Sequence, residues 1–304
     1  MAYPVAVVQC DVEPGEVEQN RNNITRLCGE AIAQGARLVL LPEACVSDIY
    51  RGAEKLAETI PGPSTDVIVR IAGEATVALP LLERAADGKV YSACAFVSAN
   101  GIRGVARKTH MYRDNTGHNS FRDEEVVSPG NELALLDLGD VRVGVLIGFD
   151  AEFPEAFRTL ALRGADVVLV AQNSLEPDLA FLRAMALRNR LPLAVANRVG
   201  FRKVYPAIPE FSASALSILQ DKDGAFLSRC KGGSAIIDGD GRAVAQPRAH
   251  MPPPEQPAPF GAQPIAHFQE DEILTASFRV EDLRVQRLTS PFISERRAEL
   301  YEKK

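Results

Sequence analysis

Apolar and polar positions along the chain switch between two periods. Residues 5–9 form a short apolar run that reads as a buried strand. From 20 to 34 the apolar residues Ile24, Leu27, Cys28, Ala31 and Ile32 return at helical spacing, and Gly35 supplies a stop. Residues 36–41 form a nearly all-apolar strand broken by Pro42, and 64–72 read as a helix stopped by Gly73. Residues 91–98 and 104–108 read as neighbouring strands, and 141–147 form a strand rich in β-branched side chains. A helix over 154–163 stops at Gly164, and a strand over 166–171 follows. The pattern repeats with a helix over 179–191, a strand over 193–197, and a hairpin of 234–238 with 241–245. Strands and helices in alternation predict an α/β protein whose helices cover buried sheets.

Two stretches break this rhythm. Residues 201–231 read as a long connection without a clear period. Residues 247–264 carry Pro247, Pro252, Pro253, Pro254, Pro257, Pro259 and Pro264, which neither a helix nor a central strand accommodates, so an extended surface loop is expected.

Composition narrows the class of function. Of 304 residues, 46% are hydrophobic and 24% charged, enough apolar material for a large core. The net charge of −6 is dispersed, so no nucleic-acid footprint is indicated. Met1 leads straight into a strand-like run with no secretion signal, and no apolar run is long enough to span a bilayer. The five cysteines (Cys10, Cys28, Cys45, Cys94, Cys230) are odd in number and irregular in spacing, which fits reduced thiols in a cytoplasmic protein. The histidines His110, His118, His250 and His267 have no metal-ligand spacing, so no metal site is expected.

Three of the predicted strands end in residues able to do chemistry. Residues 38–41 run into Pro42-Glu43, 104–107 into Lys108, and 141–147 into Gly148-Phe149-Asp150. Ligand sites of α/β sheets gather at the carboxyl ends of strands, so three neighbouring ends would bring Glu43, Lys108 and the Gly148 turn to one rim.

These segments resemble the nitrilase, or carbon–nitrogen hydrolase, superfamily over nearly the whole chain. Leu40-Leu41-Pro42-Glu43 is similar to the segment carrying its catalytic glutamate, and Ala106-Arg107-Lys108-Thr109-His110 to that carrying its lysine. The run from Val143 to Glu155 is similar to its nucleophile segment, with Gly148 where the family has cysteine. The stretches at 164–170, 196–200, 233–238 and 296–301 match in the same order. The resemblance implies one domain over 1–304, a four-layer αββα sandwich and a Glu–Lys–Cys triad cleaving non-peptide C–N bonds. It also implies no metal or organic cofactor, a small amide-like substrate, and a homo-oligomer in which the C-terminal arm from about 275 to 304 makes contacts.

Carried onto this chain, the resemblance makes Glu43 the general base and acid, Lys108 the cationic stabiliser, the Phe149 N–H an oxyanion donor, and position 148 the source of sulfur. Gly148 has no side chain with which to attack, so turnover by this chain is expected to be absent or severely impaired. Cys45, two residues beyond Glu43, matches an ordinary apolar position of the glutamate segment. An assisting acid is expected near Pro129-Gly130, at Asp123 or Glu124. Tyr112 and Phe149 are candidates for an aromatic wall, and Asn173 and Ser174 for the pocket lining. Asp150 reads as a turn stabiliser, Glu155 as an ion-pair partner, and His110 and His118 as loop or packing residues. Residues 150–155 resemble the amidase branch, and Ala151-Glu152, where N-carbamoyl amino-acid hydrolases place arginines, argue against an anionic substrate. The readings in play are an amidase that has lost its nucleophile, a pseudoenzyme binding an amide-like ligand or a protein partner, direct attack by a Glu43-activated water, and a nitrile or N-carbamoyl hydrolase of the same superfamily.

Overall fold

The central long strands of this chain bury both faces, and the two faces bury against different partners. In the computed structural model, which describes residues 2–113, 120–205, 219–220, 226–247 and 270–301, the strands run in chain order. They are β1 (Ala2–Asp11), β2 (Leu38–Leu40), β3 (Thr76–Arg84), β4 (Val90–Ser98), β5 (Gly101–Arg107), β6 (Leu135–Asp137), β7 (Arg142–Ile147) and β8 (Val167–Ala171). Then come β9 (Leu193–Ala196), β10 (Arg198–Val204), β11 (Leu219–Gln220), β12 (Phe226–Lys231), β13 (Ala235–Ile237), β14 (Ala243–Ala245) and β15 (Glu272–Arg279). The α-helices are α1 (Val17–Ala33), α2 (Pro63–Ile71), α3 (Pro154–Leu162), α4 (Leu179–Asn189), α5 (Val280–Leu288) and α6 (Pro291–Ser294).

Among the described residues the strands form two sheets. The first is ordered β11-β12-β10-β1-β2-β3-β4-β5, with β15 antiparallel to β1; the second is ordered β14-β13-β9-β8-β7-β6. Val5 and Val7 of β1, Leu38 and Leu40 of β2 and Phe96 of β4 share one apolar cluster with Val143, Val145 and Ile147 of β7 and Leu169 of β8. That cluster is the seam between the sheets. The alternate residues Ala6, Val8 and Val39 face the other way, onto Ile24, Leu27, Cys28 and Ala31 of α1 and Ile68 of α2. Leu146, Val168 and Val170 likewise face Phe157 and Leu160 of α3 and Leu182 and Ala186 of α4. A period of two with both faces apolar therefore produces four layers, αββα, as expected.

Three parts of the sequence reading change. First, β3 was not predicted, because Pro80 lies in its middle and a proline argues against a central strand. β2 has already ended at that level: the Pro80 carbonyl accepts instead from the Cys45 N–H (3.2 Å). A residue's N and C=O leave a strand on the same side, so the missing Pro80 N–H removes no bond from the β3–β4 ladder, in which Pro80 stands opposite Cys94. Second, the stretch 201–231 contains structure: β10 continues to Val204 and pairs antiparallel with β12. Third, β15, unread in the sequence, runs along β1 from Ala2 to Gln9. Of the proline-rich stretch, residues 248–264 lie outside the described residues, as do His118, His250 and His267.

Candidate active site

Glu43, Lys108 and Gly148 are each delivered by the end of a strand. β2 lies parallel between β1 and β3 and stops at Pro42, which cannot donate to a ladder. The next N–H, that of Glu43, crosses to the second sheet and donates to the Gln172 carbonyl at 3.1 Å. Ala44 then adopts a left-handed backbone (φ +50°), a conformation costly for a residue with a Cβ, which turns the chain under the carboxylate. β5 delivers Lys108, whose N–H bonds the Ser92 carbonyl (2.9 Å) and whose carbonyl accepts from Gly130 (2.7 Å). β7 delivers Gly148 at the head of a 3-10 turn, Gly148–Glu152.

The three ends meet in a buried ionic cluster. Lys108 Nζ lies 3.0 Å from Glu43 Oε1 and 2.7 Å from Asp123 Oδ2, and all three side chains are nearly inaccessible. Ser92, also buried, donates through its hydroxyl to Glu43 Oε1 at 3.0 Å. Burial pushes the Glu43 carboxyl above the ordinary glutamate range, against the lowering effect of the Lys108 ammonium. On Lys108 burial works the opposite way, toward neutrality, but Glu43 and Asp123 together outweigh it and hold the ammonium above the usual lysine range. The asymmetry follows from stoichiometry: one cation is shared by two carboxylates.

Gly148 closes the cluster. Its φ is +52°, in the left-handed region that favours glycine. A Cβ built there would overlap the Glu43 carboxylate, with Cδ at 2.9 Å, and would lie 2.8 Å from Lys108 Nζ. The acid and the ammonium thus pack directly against the bare backbone.

A fold of this architecture with a Glu–Lys–acid cluster at the strand ends can be compared with known proteins. Residues 4–250 match the carbon-nitrogen hydrolase family. The chain belongs to that family. It is 34% identical over 209 residues to a nitrilase of Pyrococcus abyssi, covering 64% of this chain and 75% of that one. It is 34% identical over 177 residues to an omega-amidase of Bos taurus, covering 55% and 62%. In fold it is similar to a carbon-nitrogen hydrolase from Helicobacter pylori, with TM-score 0.73 and 19% identity over 99% of this chain and 97% of that one.

The remaining predicted residues of this carbon–nitrogen hydrolase chain divide. Asp123, not Glu124, joins Lys108: the 3-10 turn Asp123–Glu125 points Asp123 inward, where its carboxylate also accepts from the Tyr112 N–H (2.9 Å). Glu124 faces outward and pairs with the exposed Arg113 (2.7 Å), so of the two acids that spacing left open, Asp123 is the one that meets Lys108. Tyr112 and Phe149 meet edge to face at 5.5 Å, and Phe149 meets Phe153 at 5.3 Å. Asp150, buried, accepts from the Thr109 N–H and hydroxyl, the His110 N–H and the Ile147 N–H, and lies 2.9 Å from His110 Nδ1, so it ties the ends of β5 and β7 together. His110 stacks on Phe153 at 4.0 Å.

Asn173 and Ser174 follow β8 on the same rim, where Asn173 donates to Asp48 Oδ1 (2.7 Å). Cys45 points away from the cluster and packs with the apolar residues under α1, its thiol on the Pro80 carbonyl at 3.1 Å. Sequence reasoning missed Ser92, an unremarkable strand serine, and the fully buried Asp48–Arg198 ion pair (2.8 Å). The signal for the latter was weak: a charged residue inside the otherwise matching run at 196–200. No group of three or more His, Cys, Asp or Glu side chains among the described residues is arranged to hold a metal ion.

Proposed function

We propose that this chain carries the site of an amidase-like C–N hydrolase from which the nucleophile is missing, so that it binds an amide-like ligand and turns it over very slowly or not at all. The observation that carries this reading is the buried Glu43–Lys108–Asp123 cluster packed on Gly148. With a thiol at position 148, Glu43 would take the S–H proton as sulfur bonds to the amide carbon. Lys108 and the Phe149 N–H would hold the resulting oxyanion, and Glu43 would return the proton to the departing amine. Water would then cleave the thioester, with Glu43 again accepting its proton. In the present chain the first of these bonds has no donor atom. Oxyanion and binding groups alone leave roughly 10³–10⁴-fold catalysis over water in a triad hydrolase stripped of its nucleophile, so residual turnover is expected to be small.

Attack by a water seated in the thiol's place is disfavoured, because the Glu43 carboxylate fills the space beside Gly148. The same packing favours, as a second reading, a chain that binds its ligand without turnover. The amide class, over nitriles and N-carbamoyl amino acids, is supported by residues 150–155 and by the similarity to an omega-amidase. Restoring the thiol by Gly148→Cys and assaying ammonia release from a panel of amides tests the proposal. Appearance of activity supports it, and an inert, folded variant transfers support to the second reading.

We place the protein in a reducing compartment such as the cytoplasm, on the strength of five free, buried cysteines. We also propose a homo-oligomer that uses the C-terminal arm, where Val285, Leu288, Leu300 and Tyr301 stand exposed. Light scattering on the purified chain checks this: a multiple of the 32.9 kDa protomer mass is expected, and a monomer contradicts it.

A further inference from the structure

β4 touches two members of the buried cluster through a single residue. By the two-residue period of a strand, residues 92, 94 and 96 share a face, and Cys94 and Phe96 lie in the apolar seam between the sheets. Ser92 ends that face where it meets Glu43, and only 1% of it is accessible. Ala93 stands opposite Arg107 of β5, so Ser92 stands opposite Lys108. Its carbonyl accepts from the Lys108 N–H at 2.9 Å, and its hydroxyl donates to Glu43 Oε1 at 3.0 Å. One buried serine therefore sets the backbone of the cation and the side chain of the acid.

The bonds to the Glu43 carboxylate are one-sided. Ser92 Oγ and Lys108 Nζ both donate to Oε1, each at 3.0 Å, and no donor among the described residues bonds Oε2. Oε2 is instead the atom that a Cβ at position 148 would meet first. The carboxylate is held by one oxygen and presents the other to position 148. A proton on Oε2 leaves Oε1 as a carbonyl oxygen that still accepts from both donors, whereas a proton on Oε1 would set an O–H against them. Proton transfer at Oε2 therefore breaks neither bond.

We infer that Ser92 is a positioning residue for the proposed hydrolysis, turning Glu43 so that Oε2 is the oxygen that exchanges the proton. This rests on the amide-hydrolase reading. With a thiol at position 148, the S–H bond breaks and its proton passes to Oε2, the sulfur pair bonds the amide carbon, and the carbonyl π pair moves onto oxygen. When that pair returns and the C–N bond breaks, Oε2 gives the same proton to the departing nitrogen. Ser92 touches none of the reacting atoms. Without its hydroxyl, the carboxylate keeps Lys108 as its one side-chain donor among the described residues and can turn toward it.

The chain as it stands gives one readout. The carboxyl stretch of protonated Glu43, identified as the infrared band that Glu43→Gln removes, is followed against pH. Lys108 and Asp123, the charged groups facing Glu43, are the same in every variant. Loss of a hydrogen bond to the charged form favours the neutral one, so the midpoint in Ser92→Ala is expected to rise by about one pH unit and to return in Ser92→Thr, which keeps a hydroxyl. The other readout is kinetic, in Gly148→Cys. Adding Ser92→Ala is expected to lower kcat at least about tenfold, to leave KM within about twofold, and to move the acid limb of the kcat profile upward, with Ser92→Thr recovering most of the rate. A serine that served only the fold would lower the unfolding midpoint and leave the acid limb in place. An unmoved infrared midpoint, or an unchanged kcat in an active Gly148→Cys protein, overturns the role of Ser92 and leaves the hydrolase reading standing. An inert Gly148→Cys protein overturns the hydrolase reading, and the role of Ser92 with it.

Discussion

At the scale of single residues, the site is governed by what fills the space over position 148. Glycine satisfies two demands there, a left-handed backbone and the close approach of Glu43. Any side chain must bear the first at roughly 1–2 kcal/mol and must push the carboxylate aside to meet the second. Gly148→Ala is therefore expected to lower stability by about 1–3 kcal/mol in urea denaturation, and an unchanged midpoint would show that Glu43 is not packed there. Lys108 makes a second prediction. Its folded pKa is raised, so its contribution is complete below the unfolded lysine value of about 10.4 and is lost only as pH climbs toward the higher folded value. Removing it by Lys108→Met strands two buried carboxylates and is expected to cost about 3–5 kcal/mol at pH 7. That gap should hold steady from pH 7 to 10 and narrow above. A gap that already closes between pH 7 and 9 would contradict the raised value.

At the scale of elements, the ends of β2, β5 and β7 were legible because each apolar run stops on a chemically distinctive residue: Glu43, Lys108 and Gly148. What holds those ends in place was much less so. Ser92 lies on β4, forty-nine residues from the Glu43 it bonds, and no local pattern distinguishes it from a solvent-facing serine. Asp123 and Glu124 were inseparable by spacing because the choice depends on how a three-residue 3-10 turn rotates. β3 was hidden by Pro80, whose tolerance depends on β2 having ended, a fact belonging to a different segment. Asp150 was readable as a turn stabiliser, but its reach across to Thr109 and His110 was not. Because its buried carboxylate joins two strand ends through several bonds, Asp150→Ala is expected to destabilise the fold by about 2–4 kcal/mol. A loss under half a kilocalorie would mean the two turns are held independently.

At the scale of the whole molecule, the two sheets share one seam, and each carries its own helix layer. The alternating pattern announced the layers, whereas the pairing of β15 along β1, at the far end of the chain, could come only from the folded structure. All five cysteines are buried, and burial raises their thiols, that of Cys28 to about 12. None is therefore expected to react with a disulfide reagent at pH 8 until the chain unfolds, and a single fast-reacting thiol would show that one cysteine is available to the chemistry after all.

On the proposed reading, Glu43, Lys108 and Asp123 form a hydrolase site that lacks only its sulfur. Gly148→Cys, assayed for ammonia release from small amides, tests it most directly. Turnover well above that of the parent chain is expected, with an acyl adduct on the introduced residue by mass spectrometry and loss of both signals when Glu43→Gln is added. A folded Gly148→Cys protein with no activity and no adduct would contradict it.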